Sequence, residues 1–232
     1  MNNKNLFSMS AAGSDFFCAY RRNEVFCFHP ETNGKPRRFF KAADSINTMR
    51  YSEGLEVILL SDLSRDIVCL SASDSVERWR ISIKNGIWGT AILESEQAVF
   101  VSSEDARWLS LTTGKRLKKN QLGEFLEVAR AVECGPGLIV SRRRESFYLE
   151  NFTKPGTKMP IAGNVRFAAK SGESCVAVET FNKLGICFYE NASGALLAEK
   201  CIPDCAAIHR IRTLASGTAM RWTPKTGPLA KL

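Results

Sequence analysis

Histidine is nearly missing from this chain: His29 and His209 are the two among 232 residues. No Gly-x-Ser-x-Gly elbow accompanies either, so hydrolysis of the Ser-His-Asp kind has no local motif to rest on. His29 lies in Phe28-His29-Pro30-Glu31-Thr32, which reads as a turn, and His209 adjoins Arg210, whose charge disfavours its protonation. Both are read as structural. Among the eight cysteines there is no Cys-x-x-Cys pair and no adjacent pair; the nearest two are Cys201 and Cys205. A structural zinc site needs four ligands, usually as paired knuckles, so neither metal nor cofactor is expected. Cys18, Cys27, Cys69, Cys175 and Cys187 fall on predicted strands, where a reduced thiol serves as a small core side chain. Gly135-Pro136-Gly137 is not a phosphate loop, because neither Lys-Ser/Thr nor a helix follows it. No apolar run reaches the ~18 residues of a membrane-spanning helix. Residues 1–10 carry one Lys and no signal-peptide core of about 7–15 apolar residues, which predicts a cytoplasmic protein. No Pro/Ser/Gly-rich linker and no low-complexity tract divides the chain, so one domain over residues 1–232 is expected.

What the chain does contain is a recurring hairpin. Val25-Phe26-Cys27-Phe28, Ile67-Val68-Cys69-Leu70, Trp108-Leu109-Ser110-Leu111, Phe147-Tyr148-Leu149 and Ile186-Cys187-Phe188-Tyr189 are each preceded by another strand-like segment: Phe16–Tyr20, Val57–Ser61, Val99–Ser103, Leu138–Arg142 and Val176–Thr180. A tight turn follows each, at Gly34, Ser75, Gly114, Gly156 and Gly194, in steps of 41, 39, 42 and 38 residues. A fixed period of this length, with several short strands per unit, predicts an all-β fold, a β-propeller of about six blades. Each blade would supply four strands, A to D, from the channel outward. Strand A is expected at Leu6–Met9, Ile46–Met49, Gly89–Ile92, Glu127–Ala129 and Val165–Ala168. Strand D is expected at Arg37–Lys41, Arg78–Ile83, Arg116–Lys119, Lys158–Ile161 and Leu196–Lys200. The units are about 5–43, 44–85, 86–123, 124–162 and 163–203, with a partial one at 204–232. One short helix is expected between Leu122 and Arg130. The last unit admits two registers. Ile208–Leu214 and Thr218–Thr223 serve as strands A and B, or Trp222–Gly227 serves as a C–D turn.

Cations outnumber anions, 32 Lys and Arg against 24 Asp and Glu, a net charge of +8 with pI near 9.2. Such a balance favours acidic partners and speeds their encounter. The B–C turns concentrate it: Arg21-Arg22-Asn23, Asp62 to Asp66 with Arg65, Glu104-Asp105-Ala106-Arg107, Arg142-Arg143-Arg144-Glu145, and Asn182-Lys183. The candidate partner-binding residues are therefore Arg21, Arg22, Arg65, Arg107, Arg142, Arg143, Arg144 and Lys183. Arginine in exposed hairpins is also what an ordinary solvated surface carries. Nucleic acid would need clustered phosphate contacts, and the Asp and Glu of the second and third turns interrupt such a track.

The turn phrases carry a resemblance. Ala98–Asp105 with Leu109 and Thr113-Gly114-Lys115 resembles a repeat of the pyrroloquinoline-quinone type, as does Val25–Thr32 with Gly34-Lys35. Phe188–Gly194 is similar both to that repeat and to WD-type repeats. The quinone enzymes of that superfamily have eight blades, a vicinal cysteine pair, a calcium site and a catalytic Asp. This chain has no adjacent cysteines and is too short for eight blades. The resemblance implies a non-catalytic relative acting as a binding platform.

The resulting expectation is a protein-interaction module, not an enzyme, that turns a basic loop face toward an acidic protein. A bacterial immunity protein that neutralises a toxin is one version. The alternatives are a nucleic-acid-binding propeller and an enzyme with its site at the channel mouth.

Overall fold

A computed structural model describes residues 8–12, 17–28, 37–52, 54–161, 163–171, 175–180, 185–201, 205–214, 217–224 and 230–231, with side chains described only between residues 19 and 200 and not at every position there. Lys183, His29, Gly34 and the first part of Leu6–Met9 lie outside them. The chain gathers into two compact units, Met1–Lys118 and Lys119–Leu232.

The first unit holds three antiparallel meanders. They are β1 (Ser8–Ala12), β2 (Phe17–Arg21), β3 (Glu24–Phe28) and β4 (Arg37–Lys41); β5 (Ile46–Ser52), β6 (Val57–Asp62), β7 (Asp66–Ser71) and β8 (Glu77–Ser82); and β9 (Gly89–Leu93), β10 (Ala98–Ser102) and β11 (Arg107–Ser110). Each strand pairs with the next in sequence, as short turns require. All six residues of β6 are buried. A strand loses its polar face in this way only where the sheet is covered on both sides. One cluster, including Val25, Ile46, Met49, Ile58, Leu60 and Val68, joins the first sheet to the second. Another, including Val57, Leu59, Ile67, Ile92, Val99, Val101 and Leu109, joins the second to the third. Each such buried aliphatic side chain contributes about 1.5–3 kcal/mol. The first strands of successive sheets are neighbours, β1 beside β5 and β5 beside β9.

The second unit repeats the plan. It contains β12 (Arg130–Cys134), β13 (Gly137–Arg142), β14 (Glu145–Leu149) and β15 (Thr157–Met159); β16 (Val165–Ser171), β17 (Cys175–Thr180), β18 (Gly185–Glu190) and β19 (Leu196–Cys201); and β20 (Cys205–Leu214), β21 (Gly217–Pro224) and β22 (Ala230–Lys231). Cys134, Ile139, Tyr148, Val165, Val176, Val178 and Tyr189 form the core between its first two sheets. β12 lies beside β16, and β16 beside β20. That gives β20 the place of a first strand and favours the register with Ile208–Leu214 as strand A.

Three expectations shift. Strand A of the fourth repeat is Arg130–Cys134 rather than Glu127–Ala129, because Gly123–Glu127 winds into a 3-10 helix after the short helix α1 (Lys119–Leu122). Leu122, Phe125 and Val128, three residues apart, are all buried, which is the spacing of a 3-10 turn. The helix accordingly begins earlier than expected. Strand D of the third repeat shrinks to one bridge between Leu109 and Arg116 before the chain leaves for α1.

The turns after the third strands lock successive sheets together. Gly114, at φ 70°, lies against the ring of Trp79 on β8, whose indole N–H donates to the Leu111 carbonyl at 2.8 Å. In the second unit Gly194, at φ 71°, rests on the Lys158 backbone of β15 in the same way. Free thiols fill the core. Burial pushes Cys69 up to about 11 and Cys134 up to about 12. Ellman's reagent at pH 8 should therefore modify Cys69 and Cys134 far more slowly in the native protein than in urea. Equal rates in the two states would contradict their placement.

Candidate functional site

Within each unit the loops joining second to third strands, and those joining one sheet to the next, meet at one set of strand ends. In the first unit the Ala42 N–H donates to the Asn23 carbonyl at 2.8 Å, Ile46 to Arg22 at 2.7 Å, Leu63 to Ser45 at 2.9 Å, Ile83 to Arg65 at 2.9 Å and Trp88 to Ser102 at 2.8 Å. These bonds stitch the arginine-bearing turns to the inter-sheet connections. Asp62 braces the second turn from inside: its buried carboxylate accepts from the Ser64 hydroxyl at 2.7 Å, from Asp66 N–H at 3.0 Å and from Asp44 N–H at 3.4 Å.

Three of the predicted arginines stand in left-handed backbone: Arg22 at φ 53°, Arg65 at φ 77° and Arg143 at φ 57°. L-residues with a Cβ enter that region at a cost, and Gly or Asn is the usual occupant. The remaining non-glycine residues there, among those described, are Glu56, Ser75 and Gln97, at the opposite strand ends and none cationic. Among the described residues the left-handed positions of the B–C turns thus carry arginine, whereas the C–D turns use Gly114, Gly194 and Ser75.

The arginines differ in what they touch. Arg22 and Arg144 are exposed and have no side-chain partner among the described residues. Arg65 is exposed and donates to the Lys84 carbonyl. Arg107 is paired with Asp105. Arg142 donates to the Glu124 carbonyl at 2.7 Å, faces its carboxylate at 3.4 Å and lies over the Phe147 ring. Arg143 pairs with Glu127 at 3.1 Å. Arg21 ends β2, and only its backbone is described. Part of the basic charge is therefore met within the chain by acids on the adjoining loop and 3-10 turn.

Two residues absent from the sequence-based set belong to the same strand ends. Leu63 is 62% exposed in the second B–C turn, and Trp88 is 66% exposed in the connection from β8 to β9. A further group lies at the corresponding end of β17. Glu179 is only 1% exposed, one of its carboxylate oxygens has no hydrogen-bond partner, and Arg166 stands 4.0 Å from the other. Burial outweighs that cation and pushes the Glu179 carboxyl up to about 7. Among the described residues no three His, Cys, Asp or Glu side chains come together as a metal site would require.

No protein-family model matches the chain, and no curated protein matches it in sequence. The resemblance to quinone-type repeats accordingly extends no further than the fold. Solved structures do match. Hsv2 of Kluyveromyces lactis aligns with a TM-score of 0.64 over 90% of this chain and 68% of its own, at 10% identity. The computationally designed protein Ika8 aligns with a TM-score of 0.67 over 96% of this chain and 69% of its own, at 11% identity. Both are propellers, and the chain has a β-propeller fold.

Proposed function

We propose that the chain is a non-catalytic binding module that receives an acidic protein partner on the strand ends carrying its arginine turns. The observation that carries this reading is the left-handed arginine. Arg22, Arg65 and Arg143 each hold a strained conformation that glycine would relieve, and strain of this kind concentrates where it serves binding. In the first unit the partner's carboxylates would meet Arg22 and Arg65, which no carboxylate of the described residues engages, and bidentate guanidinium contacts suit that role. The internal pairing of Arg107, Arg142 and Arg143 with Asp105, Glu124 and Glu127 works against a continuous phosphate track and so disfavours nucleic acid.

Glycine substitution separates binding from folding. Arg22→Gly, Arg65→Gly and Arg143→Gly should each leave stability unchanged or raise it by up to about 1 kcal/mol, as relief of left-handed strain offsets the flexibility glycine adds. Combined, they should abolish capture of the partner recovered from the source cells by affinity purification and mass spectrometry. A triple variant that melts lower and binds normally would remove the reading. Loss of binding shared by a DNA oligomer, with steep salt dependence, would transfer the site to nucleic acid.

A further inference from the structure

Asn85-Gly86 lies in the connection from β8 to β9, and it brings together the parts of a reaction that needs no second molecule but water. The backbone nitrogen after an asparagine can attack the side-chain amide when it reaches Cγ, and a β-carbon on the following residue hinders that approach. Gly86 has no β-carbon. It sits at φ 76°, and nothing lies within 4 Å of the position a Cβ would take. Asn85 is exposed, and no hydrogen bond among the described residues engages its amide or the Gly86 N–H. Other asparagines are held or crowded. Asn47 and Asn23 donate to the carbonyls of Ile87 at 2.9 Å and Ala42 at 3.2 Å, and Asn151 accepts from Thr153 and Lys154. Asn120, Asn164 and Asn191 precede Gln121, Val165 and Ala192, each with a β-carbon. Asn33-Gly34, the other such pair in the sequence, lies outside the described residues. The connection is also fixed at both ends. Ile83 and Ile87 are buried in the core shared by the second and third sheets. The Ile83 N–H donates to Arg65 and the Trp88 N–H to Ser102, so the span from Lys84 to Gly86 has a set length.

We propose that Asn85 is a covalent modification site, where deamidation yields isoaspartate and aspartate, and that the isoaspartyl form loosens the second sheet from the third. A base removes the Gly86 amide proton, and the nitrogen bonds to Asn85 Cγ. The Cγ–Nδ2 bond then breaks, the departing nitrogen takes up a proton, and ammonia leaves a succinimide behind. Water opens that ring. Attack at the Asn85 main-chain carbonyl gives isoaspartate, and attack at Cγ gives aspartate. One water is consumed and one ammonia released, with nothing oxidised or reduced. Isoaspartate routes the main chain through the side-chain methylene, which adds a carbon to a span clamped at both ends. Aspartate adds only a charge, next to Lys84.

Protein aged at pH 8 and then peptide-mapped by mass spectrometry supplies the test. Asn85 should convert about tenfold or more faster than Asn23, Asn47 or Asn151, whose amides are held away from the following nitrogen. Its product should accept a methyl group from S-adenosylmethionine in the presence of a protein-isoaspartate methyltransferase. Gly86→Ala should slow the conversion by about tenfold or more, because the new β-carbon keeps the nitrogen off the amide. The isoaspartyl fraction, separated chromatographically, should unfold at lower urea than fresh protein. Asn85→Asp, which carries the charge without the extra carbon, should unfold with wild type. Conversion of Asn85 no faster than that of the held asparagines, or unaffected by Gly86→Ala, overturns the site. An isoaspartyl fraction as stable as Asn85→Asp overturns its effect on the two sheets.

Discussion

Replacing Gly194 by Ala is expected to destabilise the protein by about 2–5 kcal/mol, the sum of left-handed strain and overpacking against backbone. A Cβ at this position would overlap the Lys158 carbonyl oxygen, and the φ of 71° is one that alanine adopts at a cost. Backbone on β15 cannot yield as a side chain can, so relief must come from moving the turn off the preceding sheet. Two other glycines divide the effect into its parts. Gly86 shares the left-handed conformation, at φ 76°, but has open space around its missing Cβ; Gly89 has open space and carries no such φ. Gly86→Ala should therefore cost about 1 kcal/mol, and Gly89→Ala should be neutral or stabilising by a few tenths. Urea denaturation of the three variants provides the measurement. If Gly194→Ala falls no further than Gly86→Ala, the contact with Lys158 does not hold the two sheets together.

The hairpins were legible because two independent signals coincided. Apolar strands such as Val99-Phe100-Val101 and Trp108-Leu109 alternate with turns whose chemistry needs positive φ, and Gly114 and Gly194 sit where that φ occurs. The misplaced fourth first strand shows where a competing period wins. Leu122, Phe125 and Val128 recur every third residue, and that spacing buries them as a 3-10 turn before Arg130 enters the sheet. The third outer strand failed for want of apolar content, since Arg116–Lys119 offers Arg, Leu, Lys and Lys with little to bury. At the site, the arginine turns could be read from sequence but their strain could not, because nothing in arginine's chemistry marks a left-handed position. Their partners were hidden for another reason. Glu124 and Glu127 reach Arg142 and Arg143 across 16 to 18 residues only through the turn that sequence misplaced. Trp88 is a bulky aromatic in the short connection after Asn85-Gly86, where its neighbour Ile87 takes the buried place.

Glu179→Gln is expected to raise stability by about 3 kcal/mol above pH 7 and to change it little below pH 4.5. The glutamate takes the register position that Ser61 holds in the second sheet: each follows a bulge in the paired first strand, Phe167 lying opposite Glu179 and Thr48 opposite Ser61. Ser61 is satisfied there by the Thr48 hydroxyl at 2.7 Å, whereas Glu179 leaves one oxygen without a partner. Among charged groups on the strands beside it, β16 brings Arg166 within 4.0 Å, while Lys170 of β16 and Glu190 of β18 lie toward the other end of the sheet. Burial dominates, so the folded carboxyl titrates near 7 instead of 4.5. A raised value means that the native state binds the proton more tightly than the unfolded chain does. Its stabilisation is complete below about pH 4.5 and is lost as pH rises toward 7, where the native protein must hold a buried charge. Each unit of that difference corresponds to about 1.4 kcal/mol, which yields the expected ~3 kcal/mol. Glutamine keeps the shape and hydrogen-bonding capacity of the neutral acid and removes the charge. Unfolding free energies of both proteins from pH 4 to 8 should therefore coincide at the acid end and diverge upward for the variant. Asp66, which its bonds to Ser82 and Arg80 hold below the usual carboxylate range, adds a loss at low pH common to both and cancels in the difference. Parallel curves across the whole range would mean that Glu179 is hydrated in solution and titrates as an ordinary carboxylate.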